Sequence, residues 1–323
     1  MIYLMTILVT GGAGFIGSHL VERLLTQGEK IVIIDNFNDF YPPSYKKQNI
    51  SSAIQNSNLT LYEANICDMT ACHKIFKKHC IEKVVHLAAY AGVRPSIERP
   101  LLYEEVNCNG TLNMLELSRI FNVKQFIFGS SSSVYGNNKK VPFSEDDPVN
   151  EPISPYAATK RAGELFCYTY HHLYKIPVCC LRFFTVYGPR QRPDLAIRKF
   201  TELIDRNQPI TMYGDGTTQR DYTFISDIID GVVSTIDKRF DFEIINLGDS
   251  NPIKLTKLIE LIERELGKKA QINRLPEQPG DVQRTYADIG KAERILKYQP
   301  KVSIEQGIRL FVAWHKERKK DKK

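Results

Sequence analysis

Residues 6–17 read Thr6-Ile7-Leu8-Val9-Thr10-Gly11-Gly12-Ala13-Gly14-Phe15-Ile16-Gly17. The apolar run Ile7 to Val9 has no helical spacing, suits a strand buried on both faces, and stops at a glycine cluster. Beyond Gly14 the apolar positions Ile16, Leu20, Leu24 and Leu25 return with helical spacing, so the glycines occupy a strand-to-helix turn. There Gly11 can take the tight turn, Gly14 can let backbone approach a pyrophosphate, and Gly17 can let helix lie close on strand. The helix N-terminus adds free N–H groups and a positive dipole end for the phosphates.

A glycine triplet alone is a weak signal, because loops are rich in glycine for structural reasons. A second apolar run, Ile31 to Ile34, ends in Asp35, 18 residues after Gly17. An acid at that strand tip can bind a ribose 2′-hydroxyl and repel a 2′-phosphate, which favours NAD over NADP. The Gly-x-x-Gly-x-x-Gly spacing resembles the short-chain dehydrogenase/reductase superfamily.

At 323 residues, 42% hydrophobic and 25% charged, the chain has ordinary globular composition. The net charge of +7 is partly gathered in the tail Lys316 to Lys323, read as a solvated helix end rather than a nucleic-acid surface, because no aromatic residues are interleaved beyond Trp314. The mild basicity suits an anionic substrate. Cys67, Cys72, Cys80, Cys108, Cys167, Cys179 and Cys180 form no Cys-x-x-Cys pair and no metal-ligand spacing, and read as reduced thiols. No charged n-region precedes the first strand and no apolar run reaches bilayer length, so a cytoplasmic protein with no membrane and no nucleic-acid partner is expected.

Further along, strands are predicted at Leu59 to Tyr62, Val84 to Leu87, Phe126 to Phe128 and Val178 to Phe184. Helices are predicted near Thr70 to Lys78, Leu101 to Phe121 and Pro155 to Tyr174. This alternation argues for an α/β fold, a doubly wound parallel sheet of the Rossmann type. From Tyr187 onward the elements are mixed, which predicts a smaller α/β substrate-binding lobe. The expected division is a cofactor domain over 1–184, with segments near 221–247 returning to it, and a mainly substrate-binding lobe over 185–323. The polar, aromatic segment 36–57 predicts a loop plus a short helix near the adenosine end, with no function readable. Gly11 to Gly17, Asp35, Ala88, Ser131 and Phe184 all fall just past strand ends, where ligands of such sheets bind.

Tyr156 and Lys160 lie four residues apart on a predicted helix, hence on one face. Taken alone, an unremarkable helical pair is the better reading. It loses here because Ser131 ends the preceding strand in a chain that already carries a dinucleotide site. A phenol of ordinary pKa near 10 is a poor base; a nearby Lys⁺ and a nicotinamide cation would both favour its ionised form. The Ser131 hydroxyl can hold the reacting oxygen, which fills the roles needed to oxidise an alcohol.

Together Thr10 to Gly17, Asp35-Asn36, His86-Leu-Ala-Ala89, Asn107, Ser131, Tyr156-x-x-x-Lys160, Arg182 to Pro189 and Gly214-Asp-Gly-x-x-x-Arg220-Asp221 resemble the extended short-chain dehydrogenases that act on nucleotide sugars. Ala91-Gly-Val-Arg94, Arg182 to Asp194 and Pro279 to Asp288 resemble the UDP-glucuronate 4-epimerases within that group. The resemblance covers nearly the whole chain. It implies that NAD stays bound, that Tyr156 takes the sugar 4-hydroxyl proton while hydride leaves C4, and that the 4-keto sugar takes the hydride back on its other face. It assigns to the cofactor Phe15, Ile16, Asn36, Asn65, Ile66, Leu87, Ala88, Ala89, Asn107 and Phe183, beside Gly11, Gly14, Gly17, Asp35, Tyr156 and Lys160. Asn65 departs from the Asp that the family usually carries at the adenine edge.

For the UDP-sugar substrate the resemblance implies Arg94, Ser131, Ser132, Ser133, Thr185, Arg192, Arg220, Asp221 and Arg284. Each arginine is otherwise an ordinary surface ion pair. Related dehydratases carry an acid beside the catalytic hydroxyl residue where this chain has Ser132 and Ser133, which favours simple epimerisation. A 4-keto uronate is a β-keto acid, so its carboxylate needs fixed donors, for which Thr185 and Arg192 are the candidates. The alternatives are a 4-epimerase of neutral UDP-hexoses or UDP-N-acetylhexosamines, and a non-catalytic NAD-binding member of the superfamily. A homodimer through the helices of 101–121 and 155–174 is a family expectation.

Overall fold

The computed structural model describes residues 6–276 and 283–320. Its first half alternates strand and helix. The elements are β1 (Thr6–Thr10), α1 (Phe15–Thr26), β2 (Lys30–Asp35), α2 (Pro43–Asn49), β3 (Leu59–Glu63), α3 (Met69–Lys78), β4 (Ile81–His86), α4 (Val93–Glu98), α5 (Pro100–Glu104), α6 (Gly110–Ile120), β5 (Gln125–Ser131), α7 (Pro155–Tyr174) and β6 (Val178–Phe183). The second half runs β7 (Thr185–Tyr187), α8 (Ala196–Asp205), β8 (Ile210–Tyr213), β9 (Gln219–Phe224), α9 (Ile225–Ile236), β10 (Phe242–Leu247), β11 (Pro252–Lys254), α10 (Leu255–Leu266), β12 (Ile272–Leu275), α11 (Gly290–Leu296) and α12 (Ile304–Lys320).

Seven parallel strands form the central sheet in the order β3-β2-β1-β4-β5-β6-β10. Within β1, Ile7 and Val9 face the core beneath α1 and α9, while Leu8 faces the core beneath α3, α6 and α7. Burial on both faces explains why the strand reads as an unbroken apolar run. The strand order reverses between β1 and β4, and this opens a crevice at their carboxyl ends. β10 joins the far edge of the sheet beside β6, and α9 is tied to α1 by an Arg23–Asp230 ion pair of 2.6 Å. Two small sheets, β11-β9-β7 and β12-β8, stand on the carboxyl side.

The predicted helix over 101–121 is divided. Pro100 takes the first position of α5, and the backbone then widens into π-helical winding at Glu105–Asn109 before α6 resumes. That winding carries Asn107 inward. Its amide accepts from the Tyr90 N–H at 2.8 Å and donates to Tyr90 O and Thr159 Oγ1 at 3.0 Å each.

A buried chain of hydrogen bonds continues from there to the crevice. Thr111 donates its hydroxyl proton to Asn107 O, so it can only accept from His86 Nε2 at 3.0 Å. Thr10 Oγ1 accepts the N–H groups of Leu87 and Ala88 and sends its own proton to His86 Nδ1 at 2.7 Å. His86 is therefore held neutral, and burial pushes it down to about 3. Burial also pushes His19 down to about 4.

Below about 6.5 the unfolded chain takes up protons that these two folded imidazoles refuse, so stability falls as the pH drops toward 4. We expect a loss of about 2 kcal/mol per histidine between pH 7 and pH 5. Urea unfolding at the two pH values reads it, and an unchanged free energy would contradict the neutral, buried assignment.

Candidate active site

The glycine turn is fixed from three sides. Gly11 has the left-handed φ of +70° and donates its N–H to Ile34 O at 2.8 Å. A Cβ on Gly11 would meet the Ala88 backbone at 2.9 Å, and one on Gly17 would meet Gly11 O at 2.2 Å. Only glycine permits this approach of turn, helix and β4. Gly14 enters α1 without a side-chain cap, which leaves the first-turn N–H groups for an anion.

Asp35 accepts the Ala13 N–H at 3.1 Å and the Phe37 N–H at 2.9 Å on different oxygens. A carboxylate has about four acceptor positions, so capacity for ribose hydroxyls remains. Asn49 donates to Ala13 O at 3.1 Å and braces the turn from α2. A cradle that a Cβ would fill, uncapped N–H groups and a strand-end acid together fit a dinucleotide.

These groups open onto a cavity of about 470 Å³ along the carboxyl edge of the sheet. Of the residues expected to hold cofactor, Gly11, Gly14, Phe15, Ile16, Gly17, Asp35, Asn36, Asn65, Ile66, Leu87, Ala88, Ala89, Tyr156, Lys160 and Phe183 line it. Asn107 does not; its amide is spent on Tyr90 and Thr159, and it positions the loop after β4 from behind.

At the other end stand Ser131, Tyr156 and Lys160. The Ser154 hydroxyl caps α7 by accepting the Ala157 N–H at 3.1 Å, and Pro155 follows at the first helical position. This start places Tyr156 in the first turn and Lys160 one turn deeper. The Lys160 ammonium donates to Gly129 O at 2.6 Å and lies 5.0 Å from the Phe128 ring centre. Burial pushes it down to about 8.

Burial pushes the Tyr156 phenol up, with Ser131 and the charge of Arg192 opposing. Within the protein the charge of Arg192 favours the ionised phenol, while the Lys160 ammonium, one helical turn deeper, is held on Gly129 O. Ser131 ends β5, donates to Ser133 Oγ at 3.2 Å and accepts the Ser133 N–H.

Beneath this site Arg182 and Glu164 form a buried two-point pair, Nε to Oε1 and Nη2 to Oε2, both 2.9 Å. Ser130 donates to the same carboxylate at 2.7 Å, and Arg182 also donates to Tyr135 Oη at 2.9 Å. The pair thereby locks the end of β5 to α7.

Arg192 reaches the cavity between Thr185 and the segment after β2. Asp194 grips it with two bonds of 3.0 and 2.7 Å, and its guanidinium stacks on Phe40 at 5.0 Å. The segment 36–57 thus supplies Phe40, Tyr41 and Lys46 to the wall; its run of aromatics around Tyr41-Pro42-Pro43 was the signal available in the sequence.

Ser132, Ser133, Thr185 and Arg192 line the cavity, but Arg94, Arg220, Asp221 and Arg284 do not. Arg94 stacks on Tyr213 at 4.6 Å and Arg284 on Tyr286 at 5.1 Å. Arg220 donates to Gln219 O. Asp221 is fully buried and accepts the N–H groups of Asp249, Ser250 and Ala287, which joins the loops that carry them. Pro279 to Val282 of the quoted motif lie outside the described residues.

Asp35 is the one carboxylate among the described residues lining the cavity. It sits three strand steps from Ser131, roughly 14 Å at the usual spacing. Among the described residues lining the cavity, no acid therefore stands beside the Ser131–Tyr156 pair to drive a dehydration step.

The family described as GDP-mannose 4,6 dehydratase matches residues 8–311. A UDP-glucuronate 4-epimerase of Thermodesulfobacterium geofontis is 45% identical, with 96% of each chain covered. The crystal structure of UDP-glucuronic acid 4-epimerase from Bacillus cereus, in complex with UDP-glucuronic acid and NAD, superposes with a TM-score of 0.92 at 39% identity, covering 97% of this chain and 100% of that one. UDP-glucose 4-epimerase of Thermotoga maritima, with UDP-glucose, gives 0.90 at 34% identity over 97% and 99%. The glycine turn, the Tyr156–Lys160 helix and these full-length matches agree: the chain belongs to the GDP-mannose 4,6-dehydratase family, among the extended short-chain dehydrogenases that act as nucleotide-sugar epimerases.

Proposed function

We propose that the chain is an NAD-dependent 4-epimerase of a UDP-sugar, converting UDP-glucuronate to UDP-galacturonate. The observation that carries the choice of a uronate is Arg192, a clamped cation on the cavity wall whose charge also reaches Tyr156. Retained NAD supplies the hydride acceptor and returns the hydride.

The chain's own residues do the rest. Gly11, Gly14 and the first turn of α1 hold the pyrophosphate, and Asp35 orients a ribose. Lys160, fixed on Gly129 O, steadies the cofactor end of the site. Ser131 holds the sugar 4-oxygen, and Tyr156 takes its proton and later gives it back. Arg192 and Thr185 hold the uronate carboxylate away from alignment with the 4-carbonyl, which suppresses loss of carbon dioxide.

Arg192→Ala is expected to raise KM for UDP-glucuronate roughly 10- to 100-fold, the worth of a charged hydrogen bond, and to release carbon dioxide. Turnover of UDP-glucose is expected to change far less. Kinetics on UDP-glucuronate indistinguishable from the parent protein would sink the uronate assignment.

Among the described residues no helix is long and apolar enough to cross a membrane, and all seven cysteines are free; a cytoplasmic location is part of the proposal. So is a homodimer. Leu101 on α5 and Leu165 and Tyr168 on α7 are 81%, 50% and 52% exposed on helices that pack together, an apolar face suited to a second copy. Sedimentation of the NAD-bound protein as a monomer would exclude it.

A further inference from the structure

Behind the glycine turn lies a second cavity, of about 140 Å³, bordered by Tyr45, Arg190, Arg198, Trp314, Glu317 and Arg318. Four separate segments meet there: α2, the loop after β7, the start of α8 and the end of α12. Arg198 and Arg318 both stack on the Tyr45 ring, at 4.7 and 4.2 Å from its centre, and both stand 5.6 Å from that of Trp314.

Stacking engages the face of a guanidinium and leaves its in-plane N–H donors to find partners elsewhere. Several do. Arg190 Nη2 donates to Glu22 at 2.7 Å, Arg198 Nε to Glu202 at 2.9 Å, and Arg198 Nη1 to Gln191 O at 2.6 Å. Arg190 Nη1, Arg198 Nη2 and Arg318 Nη2 are buried and meet no acceptor among the described residues. Arg198 as a residue is only 2% exposed.

Three guanidiniums face two paired carboxylates, Glu22 and Glu202, with the exposed Glu317 at the edge. Burial, together with the like charge of Arg318, lowers the Arg198 pKa. Each buried N–H without an acceptor costs about 1–3 kcal/mol, and a cluster of planar forks without enough anions matches tetrahedral oxoanion geometry. The cavity is well under the roughly 300–1,000 Å³ of a nucleotide-sized pocket.

We propose that this cluster is a second ligand site that binds a small oxoanion of the phosphate class on Arg190, Arg198 and Arg318. Occupancy braces the loop that carries Arg192, because Arg198 holds Gln191 through its backbone N–H and its Nη1. The same anion braces the glycine turn through Asn49 and Ala13.

The test is thermal unfolding of the full-length, NAD-saturated protein during titration with inorganic phosphate, with glycerol phosphate as a monoester, and with chloride at matched ionic strength. We expect a saturable rise in Tm with phosphate that chloride does not reproduce. Arg318→Gln is expected to weaken the phosphate midpoint about tenfold or more. Gln48→Glu, which sets a carboxylate at the exposed wall, is expected to raise Tm without phosphate and to abolish the response. A monoester that matches phosphate, with the same losses in both variants, identifies a phosphorylated metabolite as the source; a response to phosphate alone identifies the free anion. Coincident phosphate and chloride curves, or variants that respond like the parent, overturn the site.

Discussion

Tyr156→Phe is expected to lower kcat for epimerisation by about 10²- to 10⁴-fold, the usual worth of a positioned acid–base group. KM and Tm are expected to stay close to those of the parent protein. The ring keeps its place: it meets Tyr103 edge-on at 6.2 Å and sits on a helix start capped by Ser154. Only the proton-transferring oxygen is lost.

The environment shows what that oxygen requires. Burial raises the phenol, Ser131 and Arg192 counter it, and Lys160 is occupied with Gly129 O. The protein alone therefore keeps the phenol protonated at neutral pH, and a cationic nicotinamide beside it would supply the remaining bias. The rate of a single turnover in the NAD-loaded protein reads the loss directly. Activity within tenfold of the parent would place the base elsewhere.

The parts of this site that were legible in the sequence are the parts built by local rules. The turn from Gly11 to Gly17 is a run of adjacent residues whose spacing states the approach it permits. The helix from Pro155 to Tyr174 announces its start with Ser154 and Pro155 and its face with a four-residue step. Alternation of strand and helix was enough for the parallel sheet, because each element's burial pattern repeats in its own residues.

What stayed illegible depends on partners far away in the chain. Lys160 finds its acceptor on β5, 31 residues back, so helical spacing placed it beside Tyr156 without saying where its ammonium points. Asp221 looks like a charged loop residue, but its acceptor role is set by N–H groups 28, 29 and 66 residues on. Phe40 becomes a site residue only because Arg192, from the far side of the fold, stacks on it. The π-helical winding at Glu105–Asn109 follows from tertiary demand on Asn107, and the apolar spacing around it still reads as one helix.

The Arg182–Glu164 pair leads to the second large effect. Arg182→Met is expected to cost about 3–5 kcal/mol, because the buried carboxylate loses its two-point partner and keeps only the more exposed Arg161, at 3.1 Å, as counter-charge. For a chain of this size that is roughly 2 °C of Tm per kcal/mol, or roughly 6–10 °C. Arg182 and Glu164 are each only 1% exposed, so water cannot take the place of the lost partner.

The pH dependence separates lost charge pairing from lost packing. Burial alone would raise Glu164, but the Arg182 bonds outweigh it and hold the carboxylate below its ordinary value of 4.5. In the parent protein its contribution is complete above that value and is lost only as the pH falls through the lower folded one. In the variant burial is opposed only by the bonds from Ser130 and Arg161, so the group rises and takes up a proton on folding, and the deficit narrows as the pH is lowered from 8 toward 5. Replacing both residues, as Arg182→Met with Glu164→Leu, removes the buried charge and is expected to recover much of the loss, limited by the partners that Ser130 and Tyr135 forfeit. A deficit equal at pH 8 and pH 5, and undiminished in the double variant, would mean that Arg182 stabilises the fold through its bulk and not through its charge.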